Sequence, residues 1–163
     1  MRLLTAAALA LALAVVSGGA HAAETVTLGA IYPLSHDDGA RAAIETVTDI
    51  INTPHAELEK LPLGAGQGLP GLGGAKVAVN FADDLDNPSV ATGQALRLIT
   101  REHVAALIGA GGTAETLAAS ALAERHGTPF LVPDAMAPSI TGRGFQWVFR
   151  TTPLASDIAR AYT

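Results

Sequence analysis

Short apolar runs alternate along the chain with segments whose apolar residues recur at helical spacing. The first run, TVTLGAIY at 25–32, is rich in β-branched residues and almost continuously apolar after Thr27. The segment that follows at 40–52 carries six apolar residues on one helical face: Ala40, Ala43, Ile44, Val47, Ile50 and Ile51. The run predicts a buried strand of a parallel sheet, and the segment predicts an amphipathic helix that ends at Asn52.

The same alternation continues to the end of the chain. Four further apolar runs predict strands: KVAVNFA at 76–82, VAALIG at 104–109, TPFLV at 128–132 and WVFR at 147–150. Helical segments separate most of these runs, and the predicted order is β-α-β-α-β-α-β-loop-β-α. This order is typical of an α/β protein with a three-layer, doubly wound parallel sheet and helices on both faces.

The predicted helices have recognisable ends. Asn87 and Pro88 suit the N-cap and first residue of a helix that runs to about Glu102. Thr113 is the expected cap of the next helix, and Ser156 that of the last one. The inward residues are expected to be Ala91, Ala95, Leu98 and Ile99 in one helix, and Leu117, Ala118, Ala121 and Leu122 in the next. Gly127 is expected to end this second helix.

A glycine-rich turn between the third strand and its helix is the main functional signal. Gly109, Gly111 and Ala114 fit the spacing G-x-G-x-x-A, and Asp134 follows the next strand, near where dinucleotide-binding folds keep a ribose-binding acid. The pattern also fits a tight turn without a ligand. A third interpretation is that the same backbone geometry holds something other than a nucleotide.

Other polar segments are less informative. Residues 61–75 are rich in glycine and proline without a strand before them, which indicates a surface loop. His36, Asp37 and Asp38 could bind a metal or act as acid and base, but three adjacent side chains cannot converge, and a solvated loop is favoured. The acidic residues of 83–87 resemble the start of a calcium loop without its glycine and distal glutamate, so turn formation and helix capping are favoured.

Composition and the N-terminus narrow the function further. The chain has a net charge of −5 and its 10 Lys and Arg are scattered, which argues against nucleic-acid binding. It contains no cysteine, which excludes thiol catalysis. Residues 1–22 combine Arg2, an apolar stretch and Ala20-His21-Ala22, and so predict a signal peptide that is cleaved after Ala22. The alternatives are a membrane anchor and a buried helix. Export to the periplasm disfavours a cytoplasmic dinucleotide cofactor.

Four segments together resemble the first lobe of periplasmic substrate-binding proteins of the branched-chain amino acid type, the solute receptors of ABC importers. They are LGAIYPLS, FADDLDNPSVATGQALRLI, VAALIGAGGTAETLAASALAERHGTPFLVPDAMAPSIT and RGFQWVFRTTP. The resemblance implies a type I binding-protein lobe at 23–150. It also implies a crossover and the start of a second lobe, truncated, at 151–163. A monomer is expected that delivers its solute to an inner-membrane permease, with neither cofactor nor enzymatic activity.

The resemblance also implies a ligand site. The Thr113 hydroxyl and the Ala114 amide would hold the carboxylate of an amino acid or related solute. Asp134, Ala135 and Met136 would meet its ammonium group through a backbone carbonyl and a hydroxyl residue. Met136 departs from that pattern because it has no hydroxyl, and Asp134 replaces a small residue and could itself meet an ammonium or a hydroxyl. Two alternatives stay open: an exported nucleotide-dependent enzyme that uses the glycine turn, and a truncated product without function.

Overall fold

The computed structural model describes residues 24–36, 39–61 and 63–163. The expected signal peptide and two members of the first-loop cluster, Asp37 and Asp38, lie outside the described residues. The elements in chain order are β1 Val26–Tyr32, α1 Gly39–Asn52, a 3-10 turn Pro70–Leu72, β2 Val77–Asp83, α2 Pro88–Thr100, β3 Ala106–Gly109, α3 Thr113–His126, β4 Phe130–Val132, α4 Pro138–Thr141, β5 Val148–Arg150 and α5 Ala155–Ala161.

The five strands form one sheet in the order β2-β1-β3-β4-β5, and every pairing is parallel. The predicted α/β class with a doubly wound parallel sheet is therefore confirmed. The chain moves outward from β1 to β2 and then returns to place β3 on the other side of β1. Strand order reverses between β1 and β3, and ligands of such sheets bind at this reversal, beyond the carboxyl ends of the strands.

Helices α2 and α3 cover one face of the sheet and enclose the main core. Leu98 of α2, Leu107 of β3 and Phe130 of β4 are each 0 % exposed and belong to this core. The predicted inward residues Ala91 and Ala95 are buried as well, so the predicted face of α2 is confirmed. Small residues at these positions let the helix approach the sheet and its neighbouring helix closely.

The inward face of α3 differs from the predicted one. Of the four residues expected inside, Leu122 is buried and Leu117 is partly buried and packs against the core, whereas Ala118 and Ala121 are only partly buried. The buried residues are Glu115, Thr116, Ala119, Ser120, Leu122 and Ala123. Hydroxyl groups are tolerated inside because Thr116 donates to the Gly112 carbonyl at 2.6 Å and Ser120 donates to the Thr116 carbonyl.

The helix ends confirm two predictions and correct two others. The Asn87 side chain accepts from the backbone N–H of Ser89 and Val90, and Gly127 ends α3 with φ 64°. Gly112, in extended conformation, is the N-cap of α3, so Thr113 is its first helical residue and not its cap. Leu154 rather than Ser156 precedes α5, because the chain already turns into the helix at Ala155.

The second face of the sheet is covered differently. Helix α1 ends at Asn52, as predicted, but none of its described residues is buried. The predicted 61–75 loop contains the 3-10 turn and an isolated antiparallel bridge between Leu69 and Ala75. In the described residues, no helix combines the length and apolar character that crossing a membrane requires.

Candidate ligand site at the strand reversal

A cavity of about 320 Å³ lies at the carboxyl ends of the strands, where the strand order reverses. Its lining comes from four parts of the chain: Tyr32 and Pro33 after β1, Ala40 at the start of α1, Gly111 after β3, and Asp134 after β4. The cavity therefore occupies the position that the parallel topology favours for a ligand. It contains one of the predicted site residues, Asp134, together with the middle of the glycine turn.

The two glycines of the turn have different roles. Gly109 has φ +111°, and a Cβ atom there would lie 2.2 Å from the Ile31 carbonyl oxygen and 2.5 Å from Cε2 of Tyr32. No side chain fits at that position. A Cβ on Gly111 would meet no atom within 4 Å. Gly109 thus closes the packing between β3 and β1, and Gly111 leaves the cavity open toward the turn.

Ala110 anchors the turn between these glycines. It is fully buried with φ 57°, a left-handed conformation that costs a non-glycine residue about 1–2 kcal/mol. Its N–H donates to the Ile31 carbonyl at 2.7 Å, and its own carbonyl accepts from the Thr116 hydroxyl. These bonds on both sides fix the direction in which α3 leaves the turn.

The N-terminus of α3 follows directly and offers donors. The N–H of Thr116 donates to the Gly112 carbonyl at 3.0 Å, and the N–H groups that precede it have no carbonyl one turn earlier within the helix. Thr113 and Ala114 are exposed and follow the cavity-lining Gly111 by two and three residues. Free donors and the helix dipole together make this end attractive to an anion.

The loop after β4 is tied to the segment that follows β5. The Arg150 guanidinium donates to the carbonyls of Ala135 and Ala137, the second at 2.7 Å. The N–H of Ala155 donates to the Met136 carbonyl at 3.1 Å. Three consecutive loop carbonyls therefore already accept hydrogen bonds. Ala135 is buried and Met136 is 43 % exposed, so neither lines the cavity as described.

Tyr32 is a site residue that the sequence reasoning did not identify. Its side chain is buried and lines the cavity together with Asp134. Burial, followed by the negative charge of Asp134, raises the pKa of the Tyr32 hydroxyl well above its ordinary value. The hydroxyl therefore remains a donor at any physiological pH. The sequence did contain a signal for this residue, because Tyr32 is the last residue of an apolar strand and so lies at the edge of the sheet where ligands bind.

The acidic segment after β2 forms turns, as predicted. The N–H of Leu85 donates to Asp83 Oδ1 at 2.9 Å, and the N–H of Asp86 donates to Asp84 Oδ1 at 3.1 Å. The Ser35 hydroxyl donates to Asp83 and lowers the pKa of that carboxyl. Nδ1 of His36 lies 3.2 Å from Asp86 Oδ2. Among the residues with described structure, no group of three or more His, Asp or Glu could hold a metal ion.

Asp84 is the exception within this segment because its side chain is fully buried. Its Oδ2 atom has no hydrogen-bond partner among the described residues. Burial raises the pKa of the Asp84 carboxyl, and the neighbouring negative charges, Glu115 among them, raise it further. The charged form is therefore disfavoured in the folded protein.

Comparison with known proteins identifies relatives of the whole described chain. A protein-family model described as periplasmic binding protein matches residues 20–163. A Leu/Ile/Val-binding protein homolog of Brucella suis is 35% identical over 98% of this chain. The alignment spans 36% of that relative, so the chain covers about a third of its length.

Solved structures agree with the sequence comparison. An ABC transporter substrate-binding protein from Desulfitobacterium hafniense superposes with a TM-score of 0.70 at 24% identity, over 85% of this chain and 37% of its own. A solute binding protein of an ABC transporter from Rhodopseudomonas palustris, in complex with 3,4-dihydroxybenzoic acid, gives a TM-score of 0.57 at 27% identity. That match covers 80% of this chain and 32% of the other.

Proposed function

Because the chain belongs to the periplasmic binding protein family, we propose that it forms the first ligand-binding lobe of an ABC-importer substrate-binding protein. Its solute is an amino acid or a related small polar molecule. The relatives support part of this proposal, because one of them is a Leu/Ile/Val-binding protein homolog at 35% identity. The cavity at the strand reversal supports it independently, because a sheet of this topology binds its ligand there.

The observation that carries the proposal is the pair of features beside the cavity: the N-terminus of α3 begins two residues beyond the lining residue Gly111, and Asp134 belongs to the lining itself. On one side, the turn at Gly111 leads into the free donors of α3, where the Thr113 hydroxyl and the Ala114 amide would hold a carboxylate. On the other side, Asp134 lines the cavity with an anionic group. Ala135 and Met136 belong to the same loop, which we expect to hold the other polar end of the solute.

The remaining parts of the proposal concern the cellular setting. Residues 1–22 would direct export, with cleavage after Ala22, so that the lobe works as a monomer in the periplasm and delivers solute to a permease. Residues 151–163 would cross over to a second lobe that closes on the cavity. One lobe by itself desolvates a ligand on one side, which weakens binding relative to an enclosed site.

Titration calorimetry of the chain against a panel of amino acids tests the site. Thr113→Ala removes one hydroxyl donor to a charged group and should weaken binding about tenfold, as expected for a charge-assisted hydrogen bond of about 1.5 kcal/mol. Thr113→Ser keeps the hydroxyl and should bind like the unsubstituted chain. Unchanged affinity of Thr113→Ala would refute the carboxylate assignment. A shift of NADH fluorescence on mixing would instead favour the nucleotide hypothesis.

A further inference from the structure

We infer that Glu115, an acid in the first turn of α3, repels the carboxylate of the solute and thereby limits the affinity of the site for carboxylates. This inference rests on the proposed function, in which the N-terminus of α3 holds that carboxylate. Glu115 is not one of the residues expected to contact the solute, and its effect would come from its charge alone. Removal of that charge should therefore strengthen the binding of carboxylates.

Glu115 lies against the turn that borders the cavity. It is the third residue of α3, and it is only 9 % exposed. A Cβ atom added to Gly112, the N-cap, would lie 2.1 Å from Glu115 Oε2, so the carboxylate folds back over the start of the helix. Gly111, the residue before this N-cap, lines the cavity. The negative charge therefore stands beside the donors that would hold the carboxylate of the solute.

No cation neutralises this charge within the part of the chain that the structure describes. The ion pairs there involve other acids, and Glu115 belongs to none of them. A carboxylate in an ion pair presents little net charge to a solute, whereas an unpaired carboxylate presents its full charge. Partial burial also weakens the screening of that charge by water and salt.

The buried carboxyl group of Asp84 shows that the Glu115 charge acts beyond its own helix. Asp84 follows β2, is 0 % exposed, and has no hydrogen-bond partner for Oδ2 among the described residues. Burial, and then the charges of neighbouring acids, Glu115 among them, raise the pKa of the Asp84 carboxyl. A solute carboxylate at the start of α3 would meet the same repulsion.

Two opposing effects therefore act on an anion at this end of the helix. The free N–H groups and the helix dipole attract it, whereas Glu115 already places a negative charge there. Two unit charges a few ångströms apart near a protein surface repel each other by an energy that corresponds to about tenfold or more in affinity. A neutral amide accepts hydrogen bonds from the same donors without this repulsion. We therefore expect the Glu115 charge to weaken carboxylates and not amides.

The test compares carboxylates with their own amides. The unsubstituted chain and Glu115→Gln are titrated by calorimetry, at one pH and ionic strength, with leucine and leucinamide, valine and valinamide, phenylalanine and phenylalaninamide, and 4-hydroxybenzoate and 4-hydroxybenzamide. For the pair that contains the best carboxylate, Glu115→Gln should bind the carboxylate about tenfold tighter and the amide with unchanged affinity. Glu115→Asp keeps the charge and should show no comparable gain.

Two controls separate this effect from net charge and from stability. Glu59→Gln removes an exposed acid from the connection between α1 and β2, and it should leave every affinity unchanged. The thermal midpoint of Glu115→Gln checks that the fold persists. Glu115→Ala is a second variant without the charge, which serves if Glu115→Gln does not fold, and it should show the same gain for carboxylates.

Unchanged or weaker binding of the carboxylate by both variants without the charge would overturn the inference and leave the solute-binding function standing. An equal gain for a carboxylate and its amide, or the same gain for Glu59→Gln, would also overturn it. Binding of a carboxylate by Glu115→Gln where the unsubstituted chain binds none would support it. Absence of binding for every solute and every variant would overturn the proposed function together with the inference.

Discussion

The two faces of the sheet differ in how completely they are covered. Phe130 and Val148 are register partners on the face toward α2 and α3, and both are buried. The next residues, Leu131 and Phe149, are also register partners and point to the opposite face, where Phe149 is 52 % exposed. Two phenylalanines on neighbouring strands thus lie in very different surroundings.

Helix α1 shows why amphipathic patterning does not ensure burial. Its apolar stripe lies over the strands, where Val47, Leu28 and Ile108 help to line an apolar cavity of about 240 Å³. Val47 is nevertheless 56 % exposed. The α2 and α3 face is tightly packed with alanine and hydroxyl residues that allow close approach. In this protein the buried helices carry small residues where they face each other, and an apolar stripe alone does not bury α1.

The largest expected effect comes from the matched phenylalanines. Phe130→Ala should lower the free energy of unfolding by about 3–5 kcal/mol, because it removes a fully buried ring and leaves a void. Phe149→Ala should cost about 1 kcal/mol or less, since half of that ring already contacts water. Urea denaturation followed by circular dichroism measures both. Equal losses would remove the distinction between the faces.

The next comparison concerns the glycine turn, which lies beside the cavity at the end of the face that α2 and α3 cover. Gly109→Ala should destabilise the fold by about 2–3 kcal/mol, because the added Cβ would collide with Ile31 and the positive φ is strained. Gly111→Ala is the control and should change stability by less than about 1 kcal/mol, given the open space around it. Thermal melts compare the two variants, and a tolerated Gly109→Ala would mean that the turn is less tightly packed than described.

The N-cap of α2 tests the contribution of helix capping to stability on the same face of the sheet, apart from that of core burial. Asn87→Ala should cost about 1 kcal/mol, because the N–H groups of Ser89 and Val90 lose their acceptor. Thr113→Ala provides the comparison at α3, where no side chain caps the helix, and should leave stability nearly unchanged. Similar losses in urea for both variants would contradict the assignment of Gly112 as the N-cap.

The smallest effect concerns Asp84, whose pKa is raised in the folded state. Between the ordinary aspartate pKa of 3.8 and the raised pKa of the folded state, the folded protein binds more protons than the unfolded chain. The free energy of unfolding therefore declines as the pH rises between these two values. Asp84→Asn keeps the acceptor for Asp86 and should raise the thermal midpoint at pH 7 by a few degrees. The gain should shrink toward pH 4. A midpoint that falls at pH 7 would show that the charge is stabilised.

The sequence predicted the fold well because its apolar runs and turns are local signals. The parallel class, the caps at Asn87 and Gly127 and the inward face of α2 follow from spacing and residue type. The face of α3 was predicted only in part, because Thr116 and Ser120 satisfy their hydroxyl groups with nearby carbonyls, which hydropathy does not reveal. The exposure of α1 was missed because it depends on what packs over the whole sheet.

The site could be predicted in part. The glycine turn and Asp134 were identified from their position after strands, and both reach the cavity lining. Tyr32 and Arg150 were missed because their contacts with the loop after β4 join residues far apart in sequence. The assignment of the ligand to Thr113 and Ala114 stays a prediction, and so does the signal peptide at 1–22.

The central claim is that solute binds at the strand reversal. Amide NMR tests it most directly, by titrating the labelled chain with the amino acid that binds tightest in calorimetry. Binding there predicts the largest shift changes at Gly111, Thr113, Ala114 and Asp134. Shift changes centred elsewhere, for example on the surface groove of α2 that includes Gln94, or no changes at saturating solute, would contradict it.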